Sequence, residues 1–150
     1  MGLDCSHDAF HGSYSAFNRL RQEVAYAIGG SFPPHFMLDE NRKLIMDENG
    51  LLVINRELDD DAFYYDDEWD SEAHPGIHCF LCHSDCDGEI APEMCAIITN
   101  ELELLIPKIE SMKHECYGHI QYQGGYVAVI KKFISGCRKA SELNEPILFE

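Results

Sequence analysis

A stripe of apolar side chains between residues 95 and 112 constrains the fold more than any other feature of this chain. Its members recur at alternating intervals of three and four residues: Cys95, Ile98, Leu102, Leu105, Ile109 and Met112. That spacing places them on one face of an α-helix, and Pro92 suits the first turn of such a helix. Because a long apolar face must be covered by other elements, the stripe predicts a core packed around a helix that begins at Pro92.

Shorter patterns predict the elements that cover this helix. They are helices at 13–28 and 126–143, a hairpin of 43–46 with 51–54, a short strand at 77–82 and an edge strand at 146–149. Gly29 ends the first helix, and Gly50 supplies the positive φ that the hairpin turn needs. No internal repeat is visible. These elements predict an α+β fold, a mainly helical single domain over 1–150 with about three helices and a small antiparallel hairpin or sheet.

The composition narrows the setting in which we expect the protein to work. No apolar run approaches the roughly 18 residues that span a bilayer, and the first fifteen residues do not have the pattern of a secretory signal. Seven cysteines without an export signal indicate a reducing compartment, in which thiols serve as metal ligands or small core residues. We therefore expect a cytoplasmic protein.

Negative charge is concentrated in one part of the chain. The net charge is −16, and fifteen Asp and Glu but no Lys or Arg lie between Arg56 and Lys108. We expect residues of about 57–76 to form an acidic loop inserted in the domain, exposed to solvent or docked on the core or on a basic partner through 57–72. A surface this negative repels phosphate, so direct binding to nucleic acid or to an anionic membrane is not expected.

Two clusters of side chains that bind metals are the main functional feature. One cluster, at residues 78–89, holds three cysteines and two histidines, and the other opens the chain as Asp-Cys-Ser-His-Asp at 4–8 with a further histidine at 11. Thiolates and imidazoles together favour tetrahedral zinc over calcium or manganese. The predicted ligands and neighbouring acids are Cys5, His7, His83, Cys86, Asp85 and Asp87. His11 is an alternative to His7, and participation of Cys79 or Cys82 stays open.

The central loop also fits other metals. Counted from His83, the acids at 85 and 87 and Gly88 occupy positions 3, 5 and 6 of an EF-hand calcium loop, although position 1 is His and position 12 is Met. The same His-x-Asp-x-Asp-Gly segment resembles the first motif of the DHH-type phosphoesterases. That resemblance implies two Mn²⁺ or Mg²⁺ ions held by His83, Asp85 and Asp87, but the further motifs of such enzymes are missing from this chain. The segment Cys79-x-x-Cys82-His83 also has the form of a c-type haem attachment site, which the missing export signal disfavours.

Three segments together resemble a group of small bacterial and phage-borne proteins that has no assigned activity. The segments are 1–19 (MGLDCSHDAFHGSYSAFNR), 83–90 (HSDCDGEI) and 133–138 (FISGCR). The resemblance implies a bacterial or phage origin and an intracellular setting, and it carries over no catalytic residue.

Three hypotheses about function follow from these features. The first is a small cytoplasmic protein in which a metal, preferably zinc, ties the N-terminal segment to the 84–89 loop, with an acidic surface for a basic partner. The second is a metal-dependent phosphoester hydrolase that uses the loop. A pocket beside that loop, lined by a cation such as Arg19, Arg21 or Lys131, would favour it. The third is an acidic mimic of nucleic acid without a metal, in which 57–72 form a negative ridge.

Overall fold

The computed structural model describes residues 2–41, 43–58, 62–65, 69–114, 116 and 118–150. The described residues form a mainly helical α+β fold, as the sequence predicts. The helices are α1 (Tyr14–Ala27), α2 (Pro75–Cys82), α3 (Pro92–Met112), α4 (His119–Tyr122) and α5 (Tyr126–Leu143). The strands are β1 (Gly2–Cys5), β2 (Phe10–Ser13), β3 (Glu89–Ile90) and β4 (Ile147–Leu148), and a 3₁₀ turn, Ser6–Asp8, links β1 to β2. None of these helices is long and apolar enough to cross a membrane.

The predicted long helices are confirmed, and their apolar stripes form the core. α3 and α5 pack along each other, while α1 and α2 cover the remaining sides of α3. Phe17 of α1 lies at the centre, with its ring 5.0–6.3 Å from four other phenylalanine rings. The Ser13 hydroxyl accepts a hydrogen bond from the Ala16 amide at 3.1 Å and so caps the start of α1.

The C-terminal segment pairs with both parts of the chain that carry the predicted metal ligands. β4 pairs with β3 in antiparallel register, and the Phe149 amide donates to the Gly88 carbonyl at 2.9 Å. On its other side the same segment bridges Cys5 of β1, and the backbones of Asp4 and Glu150 exchange hydrogen bonds of 3.0 and 2.9 Å. The segment thus connects the N-terminal hairpin to the 83–90 loop by backbone pairing.

The predicted strand at 77–82 is wrong, because these residues belong to helix α2. Pro75 occupies the first turn of α2, and Ile77, Phe80 and Leu81 are buried at helical spacing. A six-residue apolar run does not distinguish a buried strand from a buried helix, so the sequence left the choice to tertiary packing. Gly76 makes the close approach to α3 possible, since a Cβ there would lie 2.3 Å from a Glu101 carboxylate oxygen.

The predicted hairpin is part of a repeated unit that the sequence analysis did not recognise. Three segments at 36–39, 44–47 and 52–55 share the pattern of three apolar residues followed by Asp or Asn, at a period of eight. They pair in a closed triangle through the bridges Leu38 with Leu44, Met46 with Leu52, and Ile54 with Phe36. The repeat escapes notice in the sequence because its three units are short and differ at most apolar positions.

The turns that follow the three segments also have the same structure. The side-chain oxygen of Asp39, Asp47 or Asn55 accepts a hydrogen bond from the amide two residues later, at 2.8, 2.9 and 3.1 Å. Such Asx turns reverse the chain without tertiary support. The first apolar positions of the three segments line a small cavity against α1, so the unit packs as a cap on that helix.

The acidic segment is described only in part. Residues 59–61 and 66–68, which carry six of its acids, lie outside the described residues. In the described part, Tyr64 exchanges backbone hydrogen bonds of 2.8 and 2.9 Å with Ser31. Phe63, Tyr65 and Trp69 are partly buried against the core. The aromatic residues therefore anchor this segment to the domain, and α2 begins before its predicted end at residue 76.

Candidate functional site

The N-terminal ligand candidates lie in different surroundings. Cys5 is 2% exposed in β1, and burial, followed by the negative charge of Asp4, raises the pKa of its thiol to about 12. His7 lies in the 3₁₀ turn, and its Nε2 is 3.1 Å from a carboxylate oxygen of Glu145. Cys5 is thus a protonated core thiol, whereas His7 contacts Glu145 just after the end of α5.

His11, the alternative ligand, is held between two carboxylates. Its Nδ1 contacts Asp4 and its Nε2 contacts Asp8. The hydrogen bond from His11, together with the charge of Lys132, lowers the pKa of Asp8. Both ring nitrogens of His11 are therefore occupied by carboxylates of its own hairpin.

The 83–90 loop is stabilised by its own hydrogen bonds. The Nδ1 of His83 lies 2.8 Å from the Ser84 carbonyl and its Nε2 lies 3.0 Å from the Glu89 carbonyl, while its ring packs on Phe149 at 4.2 Å. A ring nitrogen that faces a carbonyl must donate a proton, whereas a metal ligand must offer a lone pair. His83 would have to turn before it could bind an ion.

The other loop candidates point to solvent or to the loop itself. The Asp87 carboxylate accepts a hydrogen bond from the Ser84 hydroxyl at 2.7 Å, and Cys86 is exposed. Asp85 faces the guanidinium of Arg21. Within the described ranges, no three His, Cys, Asp or Glu side chains surround one point closely enough to hold a metal ion. The predicted set of Cys5, His7, His83 and Cys86 is not brought together here, and the zinc site stays a prediction.

Helix α2 presents a row of metal-binding side chains that the sequence analysis missed. His74, the residue just before α2, is followed at intervals of four residues by His78 and Cys82, and these two lie one turn apart on one helix face. The Cys82 sulfur is 3.7 Å from the His78 Nε2. His-x-x-x-His-x-x-x-Cys is visible in the sequence, but the prediction of a strand over 77–82 concealed its helical meaning.

The environment of this row is partly apolar. The Nδ1 atoms of His74 and His78 are buried and have no hydrogen-bond partner among the described residues. The His74 ring packs on Trp69 at 4.3 Å, and the His78 ring lies 5.6 Å from Phe63. Burial raises the pKa of Cys82, against the opposing charge of Arg21. The row is therefore a set of potential metal ligands at the edge of the core.

Arg21 places a positive charge beside the row. Its side chain is 4% exposed, one of its terminal nitrogens donates to the His83 carbonyl, and its guanidinium lies 4.3 Å from the centre of the Phe17 ring. Burial lowers the pKa of Arg21 to about 10, and the charges of Asp85 and then Cys82 oppose that effect. A cavity of about 420 Å³ opens between this guanidinium, Cys82 and the 83–90 loop.

Comparisons with known proteins found no relative of this chain. No protein-family model, no curated protein and no solved structure matches the chain. The resemblance to small bacterial and phage-borne proteins stays a prediction.

Proposed function

We propose that the protein is a metal-binding protein that holds zinc on the face of α2 through His78 and Cys82. The observation that carries the proposal is the 3.7 Å separation of their ligand atoms. Tetrahedral zinc with bonds of about 2.3 Å to sulfur and 2.05 Å to nitrogen sets these atoms about 3.6 Å apart. The helix therefore holds two ligands at the required spacing without rearrangement.

Cys79 is the proposed third ligand. It precedes Cys82 by three residues on the same helix, and burial together with the Cys82 charge raises the pKa of its thiol. Zinc binding displaces the protons of both thiols, so affinity should increase with pH. His78 and Cys82 thus supply two ligands at the required spacing. A closed site requires Cys79 to turn towards them and a fourth ligand from water, from His74 or from the acidic segment.

The proposed role is binding rather than catalysis, in the cytoplasm, with the acidic segment as the surface for a basic partner. All seven cysteines are free thiols, which suits a reducing compartment. Glu57, Asp70 and Glu72 of the segment are exposed. A concentrated negative surface speeds association with a positive partner, and salt weakens that effect.

Zinc titration of metal-free protein by calorimetry tests the site. We expect about one zinc per chain, with binding at least tenfold weaker in His78→Ala and in Cys82→Ser. The matched control is Cys86→Ser, which removes another exposed thiol and leaves α2 unchanged. Loss of binding in Cys86→Ser with retention in Cys82→Ser would reject the α2 site in favour of the set predicted from sequence, and no binding in wild type would reject both.

One observation favours a second function, a metal-dependent phosphoester hydrolase. The cavity beside the 83–90 loop is lined by Arg21 and His83, which is the arrangement that such an enzyme would need to hold a phosphate. Hydrolysis of bis-p-nitrophenyl phosphate with added Mn²⁺ tests it. Activity lost in Asp85→Asn and retained in Cys86→Ser would support a hydrolase, and absence of metal-dependent turnover in wild type would exclude it for this substrate.

A further inference from the structure

The charge of Arg21 is poorly compensated for a buried group. Four ionisable side chains face it: Asp85, Cys82, Cys5 and Cys79. Asp85 is the one carboxylate of the four, and no carboxylate of the described residues lies within ion-pair distance of the guanidinium.

The hydrogen bonds of Arg21 are also incomplete. One terminal nitrogen donates to the His83 carbonyl, but the Nε atom is buried and has no partner among the described residues. Native proteins rarely bury such a donor, and an unfilled position for an ion or ligand is one explanation when they do. A guanidinium also presents a planar pair of donors that matches a carboxylate.

The cavity in front of Arg21 has the volume and lining of a ligand site. Its volume of about 420 Å³ falls within the range of about 300–1,000 Å³ that is usual for small-molecule pockets. Apolar side chains form most of its wall: Phe32, Pro33, Ala62, Phe63 and Leu81. One buried cation within an apolar wall selects a molecule with one anionic group and an apolar body.

We propose that this cavity binds a small organic monocarboxylate, with the carboxylate against Arg21 and an aromatic or aliphatic body between Phe32 and Phe63. A single charge suits the site better than a phosphate dianion, because Arg21 is the one Lys or Arg among the described residues that line the cavity, and the chain carries a net charge of −16. The guanidinium and the apolar wall supply the proposed contacts, and Cys82, the proposed zinc ligand, also lines the cavity, so the test uses metal-free protein.

Calorimetric titration of metal-free wild-type protein with three probes that each carry a phenyl group tests the proposal. 3-Phenylpropionate is the expected ligand, 3-phenylpropanol is the neutral control, and phenyl phosphate is the alternative anion. We expect the acid to bind at least tenfold more tightly than the alcohol and than the phosphate. Equal binding of acid and alcohol would overturn the role of Arg21, and preference for the phosphate would overturn the monocarboxylate and support the hydrolase. Absence of binding by all three probes would overturn the proposal for aromatic acids of this size.

Two variants distinguish an effect on carboxylate binding from an effect on protein folding. Arg21→Met keeps much of the side-chain volume, and we expect it to abolish the preference for acid over alcohol while the melting temperature stays within a few degrees of wild type. Lys131→Met removes a charge from the exposed face of α5 and should leave binding unchanged. An Arg21→Met protein that retains the preference would refute the proposal. If that variant does not fold, the comparison of acid binding with alcohol binding in the wild-type protein still tests the proposal.

Discussion

Replacing Phe149 by Ala should reveal what holds the N-terminal segment to the 83–90 loop. Phe149 is 4% exposed, its ring lies 5.9 Å from Phe17 and 4.2 Å from His83, and its backbone joins Gly88 to Cys5. Truncation of a buried Phe costs about 3–5 kcal/mol. Because the C-terminal segment can relax into part of the cavity, we expect a loss of about 3 kcal/mol.

Urea unfolding followed by circular dichroism in the presence of EDTA measures this loss. Leu148→Ala is the matched control on the neighbouring residue, whose side chain is 39% exposed, and it should cost less than about 1 kcal/mol. Cys5 should also react faster with a thiol reagent in the Phe149 variant, because the segment that bridges its backbone is then held less firmly. A loss below about 1 kcal/mol in Phe149→Ala, or EDTA destabilising wild type by 3 kcal/mol, would refute the reasoning and favour a metal as the connection.

Three further predictions concern thiols and packing. Ellman's reagent should label Cys82 and Cys86 within minutes in native protein and the buried cysteines of α3 and α5 only after unfolding; early labelling of all seven would contradict the fold. The pKa of Cys5 is about 12 when folded and 9.0 when exposed, so the folded state binds the proton more tightly. Its stabilising contribution should be present below pH 9 and decline by about 1.4 kcal/mol per pH unit from 9 towards 12, more steeply than in Cys5→Ala. Equal slopes in the two proteins would contradict this. Gly136→Ala would place a methyl group 2.5 Å from the Ala9 side chain, and this overpacking should cost about 1–3 kcal/mol in urea unfolding; a gain in stability would contradict the packing of α5 on the 3₁₀ turn.

The long helices were predictable because their information is local. The predicted bounds of 92–112 and 126–143 coincide with α3 and α5, and 13–28 differs from α1 by one residue at each end. In these segments a periodic apolar face coincides with a start or stop residue, such as the capping Ser13. The C-terminal strand was also predicted, although its pairing with β3 was not.

The candidate site was harder to predict because it depends on which distant residues meet. The strand predicted at 77–82 gave Cys79 and Cys82 opposite faces, whereas a helix places them on one face with His78. Arg21 reads as an ordinary polar residue within an amphipathic helix, and nothing local indicates that its guanidinium is buried against Phe17. Two short apolar patterns, at 77–82 and in the eight-residue repeat, were too brief for periodicity to decide between alternatives.

The sequence by itself determined the class of fold, the three long helices, the concentration of negative charge and the supply of thiols and imidazoles. Each of these follows from composition or from spacing within one segment. Only the tertiary structure decided that the C-terminal strand joins β1 to the 83–90 loop, and that Cys82 faces His78 on one side and Arg21 on the other. The first arrangement depends on backbone pairing between residues more than sixty positions apart. The second depends on the choice of helix over strand in a short buried run, and the packing of α2 against α3 makes that choice.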